Sequence, residues 1–271
     1  MVAVAHHPAA RGMQLVRMES SDRSDKVVPR VSDLALLLGS TYLFVTVLCF
    51  AALRIAGMSS FDAANHAMTT VATGGFSTSD GSVGAWESPV HWVITIFMIV
   101  GALPFVRYIS MVRGQRGALW ADDQVRGFLG MLLGIWLVVT AYLVLTTDIP
   151  VGRALTLAAF NTTSIATTTG FATADYQLWG PAMVPFFYLL MMLGGCTGST
   201  TGGLKAFRLT ILWRALHIQM VRLYSPNRVA LLRYNGRTVD TEVLGSVMAI
   251  VFLFGGSILL IAVVLCALGL G

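Results

Sequence analysis

Residues 69–84 read TTVATGGFSTSDGSVG and residues 160–175 read FNTTSIATTTGFATAD. Inside them, GGFSTSD at 74–80 and TGFATAD at 169–175 align at a spacing of 95 residues. Gly75/Gly170, Phe76/Phe171, Thr78/Thr173 and Asp80/Asp175 are identical across that spacing. Each copy follows a short amphipathic stretch, Phe61 to Val71 in the first and Val151 to Ile165 in the second, and each is followed by a long apolar run. At about 1.5 Å per residue such stretches are too short to cross a bilayer. A half-helix that dips into the membrane and returns as extended backbone accounts for this order of features, because non-helical backbone survives at membrane depth only when buried in protein or lining a watery path.

The rest of the chain agrees with a bilayer as solvent. Of 271 residues, 56% are hydrophobic and only 11% charged, and the mean hydropathy is +0.75. A soluble domain carries about a quarter charged residues. Five runs, 34–53, 88–106, 127–147, 176–204 and 243–271, contain no Asp, Glu, Lys or Arg, and each approaches the roughly 20 residues that span a hydrocarbon core. The formal charge of +5 would suggest nucleic acid in a soluble protein, but sixteen of the eighteen basic residues fall in 1–32, 107–126 and 205–237. The positive-inside bias therefore predicts a cytoplasmic N-terminus, with those three segments on the cytoplasmic side of a cell (inner) membrane, and no nucleic-acid role. Cys49, Cys196 and Cys266 lie inside the apolar runs and read as packing residues rather than a disulfide or metal framework.

Glycine and threonine at the turns have a chemical reading. A desolvated monovalent cation can be held by consecutive backbone carbonyls without a fixed anion to trap it. Glycine tolerates the backbone angles this requires, and the negative end of a short helix dipole lowers the cost of holding the cation. Thr73, Gly74, Gly75, Phe76, Thr168, Thr169, Gly170 and Phe171 are the predicted filter residues. A lone copy would read as a tight turn with a small-residue packing surface; two copies in equivalent positions favour the filter. The predicted fold is an all-α membrane protein of repeated span–pore helix–filter turn–span units, potassium-channel-like, with two complete units plus one extra span. The expected divisions are 1–32, 33–113, 125–213, 204–241 and 242–271. His66 and Asn161, also 95 apart, are expected to brace the pore helices. Asp80 and Asp175 either attract cations or cap the turns.

Residues 194–203 read GGCTGSTTGG, five glycines in ten residues within an uncharged run. Glycine in a helix interior costs about 1 kcal/mol relative to alanine, so the helix is expected to break there. Close helix packing through small residues is the alternative. A nucleotide-binding P-loop is excluded, since Leu204 follows Gly203 and Ala206 follows Lys205. The basic, amphipathic stretch from Leu204 to Arg222 reads as a helix along the headgroups with a solvated basic face.

RGMQLVRMES at 11–20, the two turn segments, GGCTGSTTGGLKAFRL at 194–209 and LLRYNGRTVDTEVL at 231–244 together resemble the Trk/Ktr/HKT superfamily of potassium transporters, in its bacterial Trk-type branch. The resemblance covers nearly the whole chain. It implies potassium as the transported ion, coordinated by the filter carbonyls, and no cofactor or enzymatic activity. It also implies that Gly194, Gly195, Gly198, Ser199, Gly202 and Gly203 form a gating loop below the filter. A cytoplasmic, TrkA-like nucleotide-binding regulatory subunit and a homodimer are the partners it implies. In that family four repeats surround one pore, and this chain resembles the second and third, with the end of the first and the opening span of the fourth. A truncated or split product, non-conducting unless another chain supplies the missing strands, is therefore the alternative expectation. The single glycine shared by the two strands predicts weaker discrimination against sodium than a TVGYG filter gives.

Overall fold

The computed structural model describes residues 31–225 and 231–269. The predicted cytoplasmic segment 1–32 therefore lies outside the described residues except at its end, as do 226–230 of the basic connection. The chain is helical nearly throughout, as the hydropathy requires. Helix α1 spans Val31–Ile55, α2 Ser60–Val71, α3 Ser88–Ala102, α4 Phe105–Val112, α5 Asp123–Thr146, α6 Val151–Ala166, α7 Met183–Met191, α8 Ala206–Tyr224 and α9 Thr241–Ala267. A two-stranded hairpin, β1 Arg233–Tyr234 and β2 Arg237–Thr238, connects α8 to α9. Its turn is Asn235–Gly236, both at positive φ, which matches the twist of a two-residue hairpin.

Among the described residues three helices, α1, α5 and α9, are long and apolar enough to cross a bilayer. The uncharged run 88–106, expected to be one span, is instead two helices meeting at an angle of 89°. Leu103 and Pro104 form the corner. Proline has no amide hydrogen to give to the preceding turn and its ring excludes the residue before it from helical angles. The freed carbonyls of Gly101 and Ala102 accept from Thr200 N at 3.2 Å and Cys196 N at 2.8 Å, and the freed amide of Phe105 donates to the Gly198 carbonyl at 3.0 Å. Two interrupted helices satisfy each other's backbones.

Helix α2 packs on α1 and α3, and α6 packs on α5 and α7; α3 against α6 joins the two groups. One apolar cluster centres on Cys49, Leu53, Val71, Ile94, Met98 and Phe160, and a second on Phe128, Leu132, Val139, Leu143, Ala158 and Phe187. Phe160 is the bridge, belonging to α6 but buried against the first group, with its ring 5.5 Å from that of His91. Trp136 is packed rather than lipid-facing: its Nε1 donates to Thr163 Oγ1 at 3.1 Å and its ring meets Trp92 edge-on.

Truncating Phe160 to alanine should remove these contacts and leave a cavity, costing about 3 kcal/mol or more. Leu253→Ala, on the exposed face of α9, should change stability by less than about 0.5 kcal/mol. Unfolding titrations of both variants in the same lipid mixture test the contrast; equal losses would contradict the packing described.

Candidate ion-conduction site

The two turn segments share a hydrogen-bond pattern as well as a sequence. Thr73 N donates to Thr70 O and Gly74 N to Thr69 O; 95 residues on, Thr168 N donates to Ile165 O and Thr169 N to Ser164 O. The Thr69 hydroxyl donates to the Phe76 carbonyl at 2.9 Å, and the Ser164 hydroxyl to the Phe171 carbonyl at 2.6 Å. Thr73 and Gly75 have φ of 52° and 67°, Thr168 and Gly170 of 56° and 92°. Both turns leave the C-terminal end of a short helix, α2 or α6, where the dipole is negative.

Around these turns the carbonyls divide into two sets. Those of Thr69, Phe76, Ser164 and Phe171 are claimed by the bonds just given. Among the described residues no hydrogen bond reaches the carbonyl oxygens of Thr73, Gly74, Gly75, Thr168, Thr169 and Gly170. Thr169 is buried, Thr73, Gly74, Gly75 and Thr168 are half-buried and Gly170 is exposed; carbonyls open in this way at membrane depth must line a watery path or meet another partner. The strands also lie against each other: a Cβ on Gly75 would sit 2.0 Å from the Thr169 carbonyl oxygen. Only glycine permits that approach. No His, Cys, Asp or Glu cluster that could hold a metal ion exists among the described residues.

His66 and Asn161 perform equivalent bracing. His66 Nδ1 donates to the Asp62 carbonyl at 2.8 Å and its Nε2 lies 3.0 Å from the Ser77 hydroxyl. Asn161 Nδ2 donates to the Leu157 carbonyl and the Thr173 hydroxyl, both at 2.8 Å, and its Oδ1 accepts from Thr173 N. Each therefore ties a short helix to the strand leaving the turn. Asp175 caps its turn by accepting from Gln177 N at 2.9 Å. Asp62, which the sequence reading passed over, does similar work in the first unit. It accepts from the Ser59 and Thr78 hydroxyls, each at 2.6 Å, and these bonds hold its carboxyl below the ordinary carboxylate range. The Ser59-x-x-Asp62 capping pattern was the available signal.

The two phenylalanines differ. Phe171 is 1% exposed and stacks on His66 of the neighbouring unit, with ring centroids 5.7 Å apart, whereas Phe76 is 77% exposed.

The glycine-rich string is a non-helical loop between α7 and α8. Gly194 and Gly203 cross so closely that a Cβ on Gly194 would lie 2.1 Å from the Gly202 carbonyl oxygen. The loop sits directly against both turns. The Thr73 hydroxyl donates to the Thr200 carbonyl at 3.0 Å, and Gly202 N donates to the Thr168 hydroxyl at 2.7 Å. Ser199 bonds back to the Cys196 carbonyl, while Gly198 is exposed with φ of 79°. The basic face of α8 is not simply solvated, because Arg214 pairs with Asp123 at 2.9 Å and donates to the Arg233 carbonyl.

Comparison with known proteins accords with this architecture. The family model described as TrkH, cation transport protein, matches residues 9–270. The chain is 42% identical over 261 residues to the Trk system potassium uptake protein TrkI of Halomonas elongata, covering 96% of this chain and 53% of that protein. It is 37% identical to the potassium uptake protein TrkH of Salmonella typhimurium, covering 87% of this chain and 50% of that one. The crystal structure of the potassium transporter TrkH from Vibrio parahaemolyticus superposes with a TM-score of 0.79 at 28% identity, covering 88% of this chain and 53% of that one. The chain thus spans about half the length of the relatives it matches. It is a helical membrane protein, not an enzyme, and belongs to the TrkH family of cation transport proteins.

Proposed function

We propose that this chain contributes two of the strands lining a pore for potassium uptake across the cell membrane. The observation that carries this reading is the set of six unclaimed carbonyls on Thr73, Gly74, Gly75, Thr168, Thr169 and Gly170, with Phe76 and Phe171 anchoring the strand ends. A dehydrated monovalent cation is the ligand such a set suits: it replaces water with oxygen dipoles and introduces no counter-charge to hold the ion. The two short helices aim their negative ends at the same place. The loop around Gly194, Gly195, Gly198, Ser199, Gly202 and Gly203 acts as the gate, since it lies against the threonines that open both turns and can leave only by breaking a few hydrogen bonds.

Two adjacent strands offer ligands from one side, so conduction requires further strands, and exposed Phe76 marks where a neighbouring unit would sit as the first unit sits on Phe171. The positive-inside bias of the basic segments supports a cytoplasmic N-terminus and a cytoplasmic 205–237 connection. There a nucleotide-binding, TrkA-like regulatory subunit would dock, and the assembled pore would pair as a homodimer.

Growth of a potassium-uptake-deficient cell at limiting potassium tests the reading. The chain alone should fail to rescue and should rescue when co-expressed with polypeptide carrying the remaining repeats; failure of the combination, with both parts in the membrane, would contradict it. In that assembly Gly75→Ala should abolish uptake, because the new methyl group meets the Thr169 carbonyl. Gly170→Ala has open space around it and carries only backbone strain of about 1–3 kcal/mol, so it should lower uptake by roughly an order of magnitude. Potassium and sodium should enter at comparable rates; a steep potassium preference would contradict the single-glycine filter.

A further inference from the structure

We infer that Gln124 latches the glycine-rich loop and that the 233–238 hairpin, through Asp122, sets the latch. Residues 196–198 are held from outside the loop at three successive points. Two are backbone bonds to the corner between α3 and α4: Cys196 N to the Ala102 carbonyl, and Phe105 N to the Gly198 carbonyl. Between them, Thr197 N donates to Gln124 Oε1 at 2.9 Å. This bond comes from a side chain, and a side chain can change rotamer without unfolding a helix.

The orientation of the Gln124 amide is determined by its other end. Gln124 Nε2 lies 3.4 Å from Asp122 Oδ2, and an ionised carboxylate only accepts, so the amide nitrogen faces Asp122 and the oxygen faces Thr197. Asp122 has a fully buried side chain. A buried carboxylate is tolerable when its lone pairs are claimed. Arg107 Nε donates to it at 2.9 Å and Gln124 N at 3.2 Å. The hairpin supplies two more donors, Tyr234 OH and Asn235 Nδ2, both at 3.3 Å. Asn235 also receives Asp123 N on its Oδ1 and gives its own amide to Asp123 Oδ2, so hairpin and helix start are clamped together. The Tyr234 ring meets Phe207 of α8 edge-on at 4.8 Å. Displacing the hairpin strips two donors from Asp122 and frees its carboxylate to shift, so the Gln124 amide loses the anchor that fixes its orientation and Oε1 is no longer held toward Thr197.

The role as a gate latch rests on the proposed gating reading, whereas the coupling can be measured independently. Residue-resolved hydrogen exchange on the full chain in lipid nanodiscs is the direct test. In the unaltered chain Thr197 N–H should exchange at least about tenfold more slowly than the exposed Gly198 N–H, a difference equivalent to roughly 1.4 kcal/mol of opening free energy; equal rates would overturn the latch without any variant. Gln124→Leu should speed exchange at Thr197 about tenfold or more. Tyr234→Phe, which keeps the ring packing, and Asn235→Ala should also speed it, although neither side chain touches the loop. A merely local role predicts faster exchange within 231–240 and an unchanged Thr197, and that result would overturn the proposal. In the assembled pore the same variants should raise potassium flux with an unchanged potassium-to-sodium ratio. Faster Thr197 exchange with unaltered flux would uphold the coupling and remove the gating reading.

Discussion

Every backbone amide and carbonyl held at membrane depth needs a partner, and the arrangement of this protein follows from that need. An unbroken helix meets it internally. This chain breaks its helices at Leu103–Pro104, after Val71, after Ala166 and between Met191 and Ala206, and each break creates groups that lipid cannot satisfy. The breaks are therefore gathered together. The corner between α3 and α4 exchanges hydrogen bonds with the glycine-rich loop, and that loop bonds to the threonines of both turns. After this mutual satisfaction, the carbonyls of Thr73 to Gly75 and Thr168 to Gly170 are left over, and a cation is the partner that suits them.

The parts of this arrangement legible in the sequence are those where chemistry narrows the residue choice. Gly75 must be glycine because the Thr169 backbone occupies the space a methyl group would take, and the helix break at 194–203 is written in five glycines. The 95-residue spacing carried further than motif matching alone: it identified His66 and Asn161 as counterparts, and each bonds the carbonyl four residues back and a hydroxyl on the strand leaving its turn, Ser77 in one unit and Thr173 in the other.

Other features depend on tertiary partners and were silent. The run 88–106 lacks charge throughout, so hydropathy made it one span, although Pro104 supplied the reason for a corner. Its freed backbone groups are tolerable only because the Cys196–Thr200 segment, nearly a hundred residues away, arrives to bind them. Arg214 was expected in solvent because nothing local announces Asp123 as its partner. Gln124 carried no signal, since an amide near a helix start is ordinary until Thr197 is brought against it. The differing fates of Phe76 and Phe171 likewise come from packing between units rather than from their shared motif.

The central claim is that the unclaimed carbonyls are cation ligands. Anomalous diffraction from thallium-soaked crystals of the pore assembled with this chain tests it most directly, because thallium(I) substitutes for potassium and scatters strongly. The account predicts density on an axis within ligand distance of the Gly75 and Gly170 carbonyl oxygens. Thallium bound only at carboxylates elsewhere, with those oxygens turned into protein, would contradict it.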